Sequence, residues 1–166
     1  MEAQAGQEAR AGEDLEALRE IFLAVLDEGL LSKRPRVVMG VERRGPWASA
    51  YVTVELETAK IVVSYDLNTK FYTAGVEPKY DCGGDAEGCP LPFGAGASGR
   101  TPKEAIEGLR RKVRELLESV ERLDEELTDA VAGEDSSTFT MVRDAIDATE
   151  WSILEAAEAL GLAREG

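Results

Sequence analysis

The sequence predicts an α+β domain made of an N-terminal helix, a four-stranded antiparallel β-meander and a long C-terminal antiparallel helical hairpin. Three observations predict it. Apolar residues from Ile106 to Ala130, and again from Phe139 to Leu160, recur at alternating spacings of three and four, the period of helices laid along helices. Between residues 36 and 76, apolar and polar residues alternate in runs separated by short turns, the period of strands wetted on one face. A further helix-period stretch, Leu15 to Leu30, precedes those strands and is the natural cover for their apolar face.

Residues 1–12, rich in Ala, Gly, Gln and Glu, lack a period and read as a disordered tail ahead of a single domain spanning 13–166. Within 13–31, Leu15, Leu18, Phe22, Val25, Leu26 and Leu30 share a helical face, with acids in the first turn and Gly29 near the close. The sheet occupies 36–76. Val37, Met39 and Val41 alternate in a first strand, Arg43-Arg44-Gly45-Pro46 reverses it, and Ala48, Ala50, Val52, Val54 and Leu56 line one face of a second. Trp47, Ser49, Tyr51, Thr53 and Glu55 line the other face. Ile61 to Val63 centre a third strand, and Phe71 to Val76 form a fourth after the Asp66-Leu67-Asn68-Thr69 turn. Residues 77–100 are a Gly/Pro-rich loop without a period, of the length that carries function or disorder, with room for a short fifth strand at 91–98.

The helix over 101–132 opens on Thr101-Pro102-Lys103-Glu104, a capping box with proline at N1. Gly133 follows, where a left-handed residue is expected. At 1.5 Å per residue this helix is roughly 48 Å long, whereas a compact chain of this size is about 40 Å across, so it should overhang the domain. A second helix over 139–162, capped by Ser136, Ser137 or Thr138, returns antiparallel to it. In that register Leu160 lies beside Arg110, and Glu155 and Glu158 face the Arg110-Arg111-Lys112-Arg114 block.

The net charge is −14, and it is uneven. Residues 1–31 carry 2 basic and 8 acidic side chains, 32–100 carry 9 and 8, and 101–166 carry 8 and 17. An acidic chain repels phosphates and anionic lipid, which argues against direct nucleic-acid or membrane binding and suits a protein partner. No apolar run of membrane-spanning length and no signal pattern occur, so a cytoplasmic location is expected. Histidine is absent and amides are scarce, a thermophile-like bias.

Candidate sites are few. Glu118, Glu121 and Glu125, with Asp144, Asp147 and Glu150, have the spacing of helical metal sites. The heptad register places them at b, e and f, outside the seam, as an acidic face for a partner rather than a metal cradle. Trp151 falls at f, pointing away from its partner helix, where it either packs on the sheet or anchors an interface. Trp47 is a second candidate anchor. Arg36, Arg43 and Arg44 cluster at one end of the first hairpin, where they could grip an anion or blunt a strand edge. Asp81, Asp85 and Glu87 could ligate a cation, with Asp66 nearby in a metal-dependent hydrolase or nuclease. Cys82 and Cys89 could form a loop disulfide. Gly94 to Gly99 precedes a helix N-terminus that could hold an anion. No nucleophile–base pair or nucleotide fingerprint is present, and no cofactor is expected.

Gly99-Arg100-Thr101-Pro102-Lys103-Glu104-Ala105-Ile106, following strands and opening a helix, resembles the helix entry of HicB-type antitoxins. That resemblance covers about eight residues and implies a small β-β-β-α domain that neutralises a toxin partner. The chain departs from that pattern in its N-terminal helix, its fourth strand and its overlong helix. The residues together predict a non-catalytic acidic interaction module, a regulator or inhibitor of a protein partner, that self-associates as a homodimer through its long helices. A metal-dependent hydrolase and a small-anion-binding protein are the competing readings.

Overall fold

The computed structural model describes residues 2–44, 47–78 and 95–162, with side chains from Gly12 onward except those of Arg44, Trp47 and Pro78. Helix α1 (Glu2–Asp27) leads into strands β1 (Arg36–Arg44), β2 (Trp47–Glu55), β3 (Ala59–Asp66), β4 (Phe71–Pro78) and β5 (Ala95–Gly99). Helices α2 (Pro102–Val131) and α3 (Ser136–Ala159) follow. The α+β class and the order of elements are those the periodicity predicts. Two boundaries differ. The sheet has five antiparallel strands in the order β1-β2-β3-β4-β5, because the small residues of Ala95–Gly99 lie against β4, with Ala97 opposite Ala74. Helix α1 begins at Glu2, well before its apolar stripe, and not at the end of a disordered tail; Ala, Glu and Gln hold a helix by propensity without leaving a period.

One sheet face is apolar, and the helices cover it. Ala50, Val52 and Val54 of β2, Ile61 and Val63 of β3, and Ala74 and Val76 of β4 are buried against Ile21 and Val25, Ile106 and Leu109, and Ile153 and Leu160. Helix α1 packs across β1 to β3, α2 on β4 and β5, and α3 near the start of β3. Two glycines set how closely α2 approaches. A Cβ on Gly108 would come within 2.7 Å of the Ala97 Cβ, and one on Gly99 within 2.6 Å of the Glu104 Cβ. Beyond Val120 no α2 residue is buried, as expected of a hairpin that overhangs the sheet, and among the described elements α3 packs beside it.

The caps explain where helices stop. Thr101 Oγ1 accepts from the Glu104 N–H at 3.1 Å, while the Glu104 carboxylate accepts from the Arg100 N–H at 3.0 Å, so the reciprocal cap forms one residue further out than the capping box places it. Asp135, rather than a downstream hydroxyl, caps α3, accepting from the Thr138 N–H at 2.7 Å. Those bonds hold its carboxyl below the usual range. The left-handed position expected at Gly133 is absent, since α2 ends at Ala132 in right-handed geometry. Gly29 and Gly161 take that role instead, each with φ near +80°. Leu30 N–H then reaches Val25 O, and Leu162 N–H reaches Ala157 O, the closing bonds of Schellman motifs.

Arg110 fastens the three helices. Its Nε donates to Leu160 O at 2.8 Å, Nη1 to Glu28 Oε2 at 2.9 Å and Nη2 to Glu28 O at 3.2 Å, with Glu107 also in contact. The guanidinium thus meets carbonyls at the C-terminal ends of α1 and α3, where the helix dipoles are negative. The Leu160–Arg110 proximity is the one the antiparallel register predicts. The expected pairing of the basic block with Glu155 and Glu158 does not form, because Glu158 pairs with Lys33 and Glu155 bonds to Thr58. Only 16% of the Arg110 side chain and 13% of that of Glu28 are exposed, so removing the guanidinium strands a carboxylate. Arg110→Ala is expected to cost about 3 kcal/mol. Arg110→Lys should cost about half of that, since an ammonium cannot serve these acceptors in one plane. Urea unfolding of the three proteins checks the order.

Candidate functional site

Among the described residues, a concavity lies where α3 meets the β2–β3 turn. Thr58 donates to Glu155 Oε1 from its N–H at 2.8 Å and from its hydroxyl at 3.2 Å, and the buried Ser152 hydroxyl donates to Thr58 O at 3.2 Å. These bonds lock the turn to the helix and leave a cleft of about 720 Å³ beside them. Trp151, 60% exposed, forms one wall, with Leu56, Pro35 and Ala159 supplying apolar surface. Glu55, Glu57, Glu155 and Glu158 contribute carboxylates and Lys33 an ammonium, with Glu158 paired to Lys33 and Glu55 to Arg36. An aromatic face among excess carboxylates selects for a cation carried on an apolar stem. Trp151, Glu155 and Glu158 stand at i, i+4 and i+7, one face of α3. That spacing was the signal available in the sequence for the two glutamates. Glu55 and Glu57 join only through the fold.

A second polar cluster flanks the hairpin. Asp124 of α2 and Glu150 of α3 both occupy e positions, which meet across an antiparallel seam. Burial, and then the hydrogen bond to Asp124, push Glu150 up to about 7. Asp124 is held low by Glu150 first, then by Arg143 and Thr128. Arg143 also donates to Asp147 Oδ1 at 2.8 Å and to Thr128 Oγ1 at 2.9 Å. The register correctly keeps Glu118, Glu121 and Glu125 outward and exposed, but it overlooks that e positions bring two carboxyls together. Among the described residues no group of three or more His, Cys, Asp or Glu is placed to hold a metal ion.

The other sequence candidates are dispersed. None of Glu118, Glu121 and Glu125 lines the Trp151 cleft. Arg36 pairs with Glu55 at 3.5 Å and Arg43 with the buried Asp14 at 2.7 Å, so two of the three arginines proposed as an anion grip are turned to carboxylates of their own chain. Asp66 Oδ1 accepts from the Asn68 N–H at 2.8 Å and closes a turn. Asp81, Asp85, Glu87, Cys82, Cys89 and the side chains of Trp47 and Arg44 lie outside the described residues. The glycine-rich run before α2 is no phosphate loop but β5 itself, and the helix N-terminus behind it is closed by Thr101 and Glu104. The seams of α2 and α3 face each other and the sheet; of the exposed large apolar residues, the hairpin retains Phe139 and Met141 near its connector besides Trp151.

Sequence reasoning also missed a tyrosine pair beneath α1. Tyr65 donates to Glu13 at 2.8 Å and Tyr72 to Glu20 at 2.9 Å, with ring centroids 4.7 Å apart. Burial, and then the bonded carboxylate, raise both phenols, Tyr65 to about 12. Both stay protonated at neutral pH and pin α1 to the sheet.

Comparison with protein-family models, curated proteins and solved structures finds no match to this chain. The resemblance to the antitoxin helix entry therefore remains one of those eight residues, and the five-stranded order does not extend it.

The Glu150–Asp124 pair carries a pH dependence of definite sign. A carboxyl whose folded-state value lies above its ordinary 4.5 stabilises the fold fully below that ordinary value and loses this contribution as pH rises through about 7. Asp124, held low, works the other way and matters only in acid. Glu150→Gln keeps a neutral donor at every pH. Its melting temperature should match the parent near pH 4 and exceed it near pH 8.5, read by circular dichroism; parallel curves would contradict the raised Glu150 carboxyl.

Proposed function

We propose that the chain is a non-catalytic acidic interaction module whose Trp151 cleft takes a basic, apolar-stemmed segment of a protein partner. The observation that carries this reading is a tryptophan 60% exposed on the wall of a cleft lined by four carboxylates, of which Glu158 is paired with Lys33 and Glu55 with Arg36. Large aromatic surface held open to water is characteristic of interface anchors. The surrounding charge would steer a cationic partner and discriminate against anionic ones. An arginine suits the site well, because its guanidinium stacks on an indole while bonding a carboxylate. The net charge of −14 extends the same preference beyond the cleft. Inhibition or regulation of that partner is the role such a module would serve.

In a Trp47→Phe background, indole fluorescence reports on Trp151 alone. A short peptide pairing a leucine with two arginines should quench it, whereas the citrulline version, neutral and of the same shape, should not. Trp151→Ala should weaken binding, followed by calorimetry, by roughly thirtyfold, the loss of an aromatic hot spot. Glu57→Gln should weaken it less and flatten its salt dependence. Equal affinity for the arginine and citrulline peptides would remove the reading.

A further inference from the structure

Strand β1 is an edge. It pairs with β2 along its whole length, from Arg36 opposite Glu55 to Arg44 opposite Trp47, and no described strand pairs with its other side. Edges of this length are normally guarded by a proline, a bulge or a charge placed mid-strand. Here the pairing is one-to-one without a bulge, no proline interrupts, and the centre reads Val37-Val38-Met39-Gly40-Val41. The chain also concentrates its open apolar surface at this edge. Of the nine large apolar side chains exposed among the described residues, four are Leu15 and Leu26 of α1 and Met39 and Val41 of β1.

Helix α1 turns a particular flank toward β1. Glu13, Glu20 and Glu28 stand on one side of the buried Ala17–Ile21–Val25 row and reach Tyr65, Tyr72 and Arg110. Leu15, Leu18, Phe22 and Leu26 stand on the other side, over β1. Met39 and Val41 share that helix-covered face, since they lie opposite Val52 and Ala50. The apolar strip therefore runs off the edge of the sheet rather than ending short of it.

We propose that β1 pairs antiparallel with β1 of a second copy about a twofold axis, joining two five-stranded sheets into one. Pairing that keeps helix-covered faces together must match odd residues with odd ones, because a one-residue slip exchanges the faces. Among such registers, centring on Gly40 sets Arg36 against the partner's Arg44 and Val37 against the partner's Arg43. Centring on Val41 sets Met39 against the partner's Arg43, and centring on Val38 runs Val41 onto the partner's Pro35. Centring on Met39 avoids all three conflicts. It places Arg36, which pairs with Glu55 of its own chain but keeps 78% of its side chain exposed, opposite the partner's Glu42, Val37 opposite the partner's Val41 and Met39 opposite itself, and the axis repeats that facing of opposite charges. Arg43 is held by Asp14 on its own chain, and Arg34 sits in a turn at φ 52° outside the strand. The leucines of both α1 helices then flank the axis on the covered face. A second copy supplies strand, charge and apolar surface together.

Sedimentation velocity of the full chain and its variants decides this. The wild type should sediment as a dimer. Arg36→Glu and Glu42→Arg should each weaken it roughly tenfold by opposing like charges, and R36E/E42R should restore it. Met39→Lys should give a monomer by placing two ammoniums on the axis. These positions lie on an exposed edge, and far-ultraviolet circular dichroism verifies that each variant is folded. A monomeric wild type overturns the proposal. So does a dimer indifferent to Met39→Lys, or a double variant weaker than either single one.

Discussion

The apolar face of the sheet is the constraint from which the rest follows. Five strands present one row of small and branched side chains, from Ala50 and Val52 through Ile61 and Val63 to Ala74 and Val76, and all of these are buried. No single helix covers so wide a face. Three do, and they approach from different directions, so their ends must be held relative to one another. Arg110 does this with one planar group, bonding the terminal carbonyls of α1 and α3 from a position on α2. A buried charge is expensive unless paired, and here Glu28 compensates it. The Trp151 cleft lies between that fastening and the bonds of Glu155 and Ser152 to Thr58, which hold α3 to the β2–β3 turn.

How much of this was legible in the sequence varies with the physics involved. Periodicity reports burial, so the helices, the meander and the Leu160–Arg110 proximity could be read from apolar spacing alone. Propensity without burial leaves no period, and so the first turns of α1 were invisible. Strand β5 was faint because Ala95, Gly96, Ala97 and Gly99 carry almost no side chain for alternation to act on; their smallness is what lets Gly108 bring α2 down onto the sheet. Caps were read half correctly. A Ser or Thr was expected where Asp135 acts, since several candidates stand side by side and only the backbone decides among them.

The candidate site was legible in one residue. Trp151 stood out by its heptad position, and the structure leaves it exposed. Its neighbours arrive from Lys33, the β2–β3 turn and α3, and no local pattern links those segments. The carboxylates misled in the opposite direction. Their helical spacing invited a metal site, yet Glu118, Glu121 and Glu125 look outward, while Asp124 and Glu150 lie beside Arg143, the first held low and the second pushed up. Abundant acid on a helix is informative only with its register, and at e positions the register must be followed across the seam.

Charge distribution ties the two surfaces together. With 8 acids in residues 1–31 and 17 in 101–166, two copies repel each other over most of their surface and attract cations there, which is the environment of the Trp151 cleft. The middle of the chain, with 9 basic and 8 acidic residues, is where that repulsion lapses, and β1 lies within it. Association between copies and recognition of a basic partner therefore require different surfaces, since a face suited to one is unsuited to the other. Strand β1 and the α3 cleft adjoin at one point, since Pro35, just before β1, lines the cleft and Arg36 of β1 pairs with Glu55 of its wall. Pairing along β1 in the Met39-centred register would bring the partner's Arg43 opposite Pro35, which lines the cleft, so association between copies would be felt at the rim of the cleft.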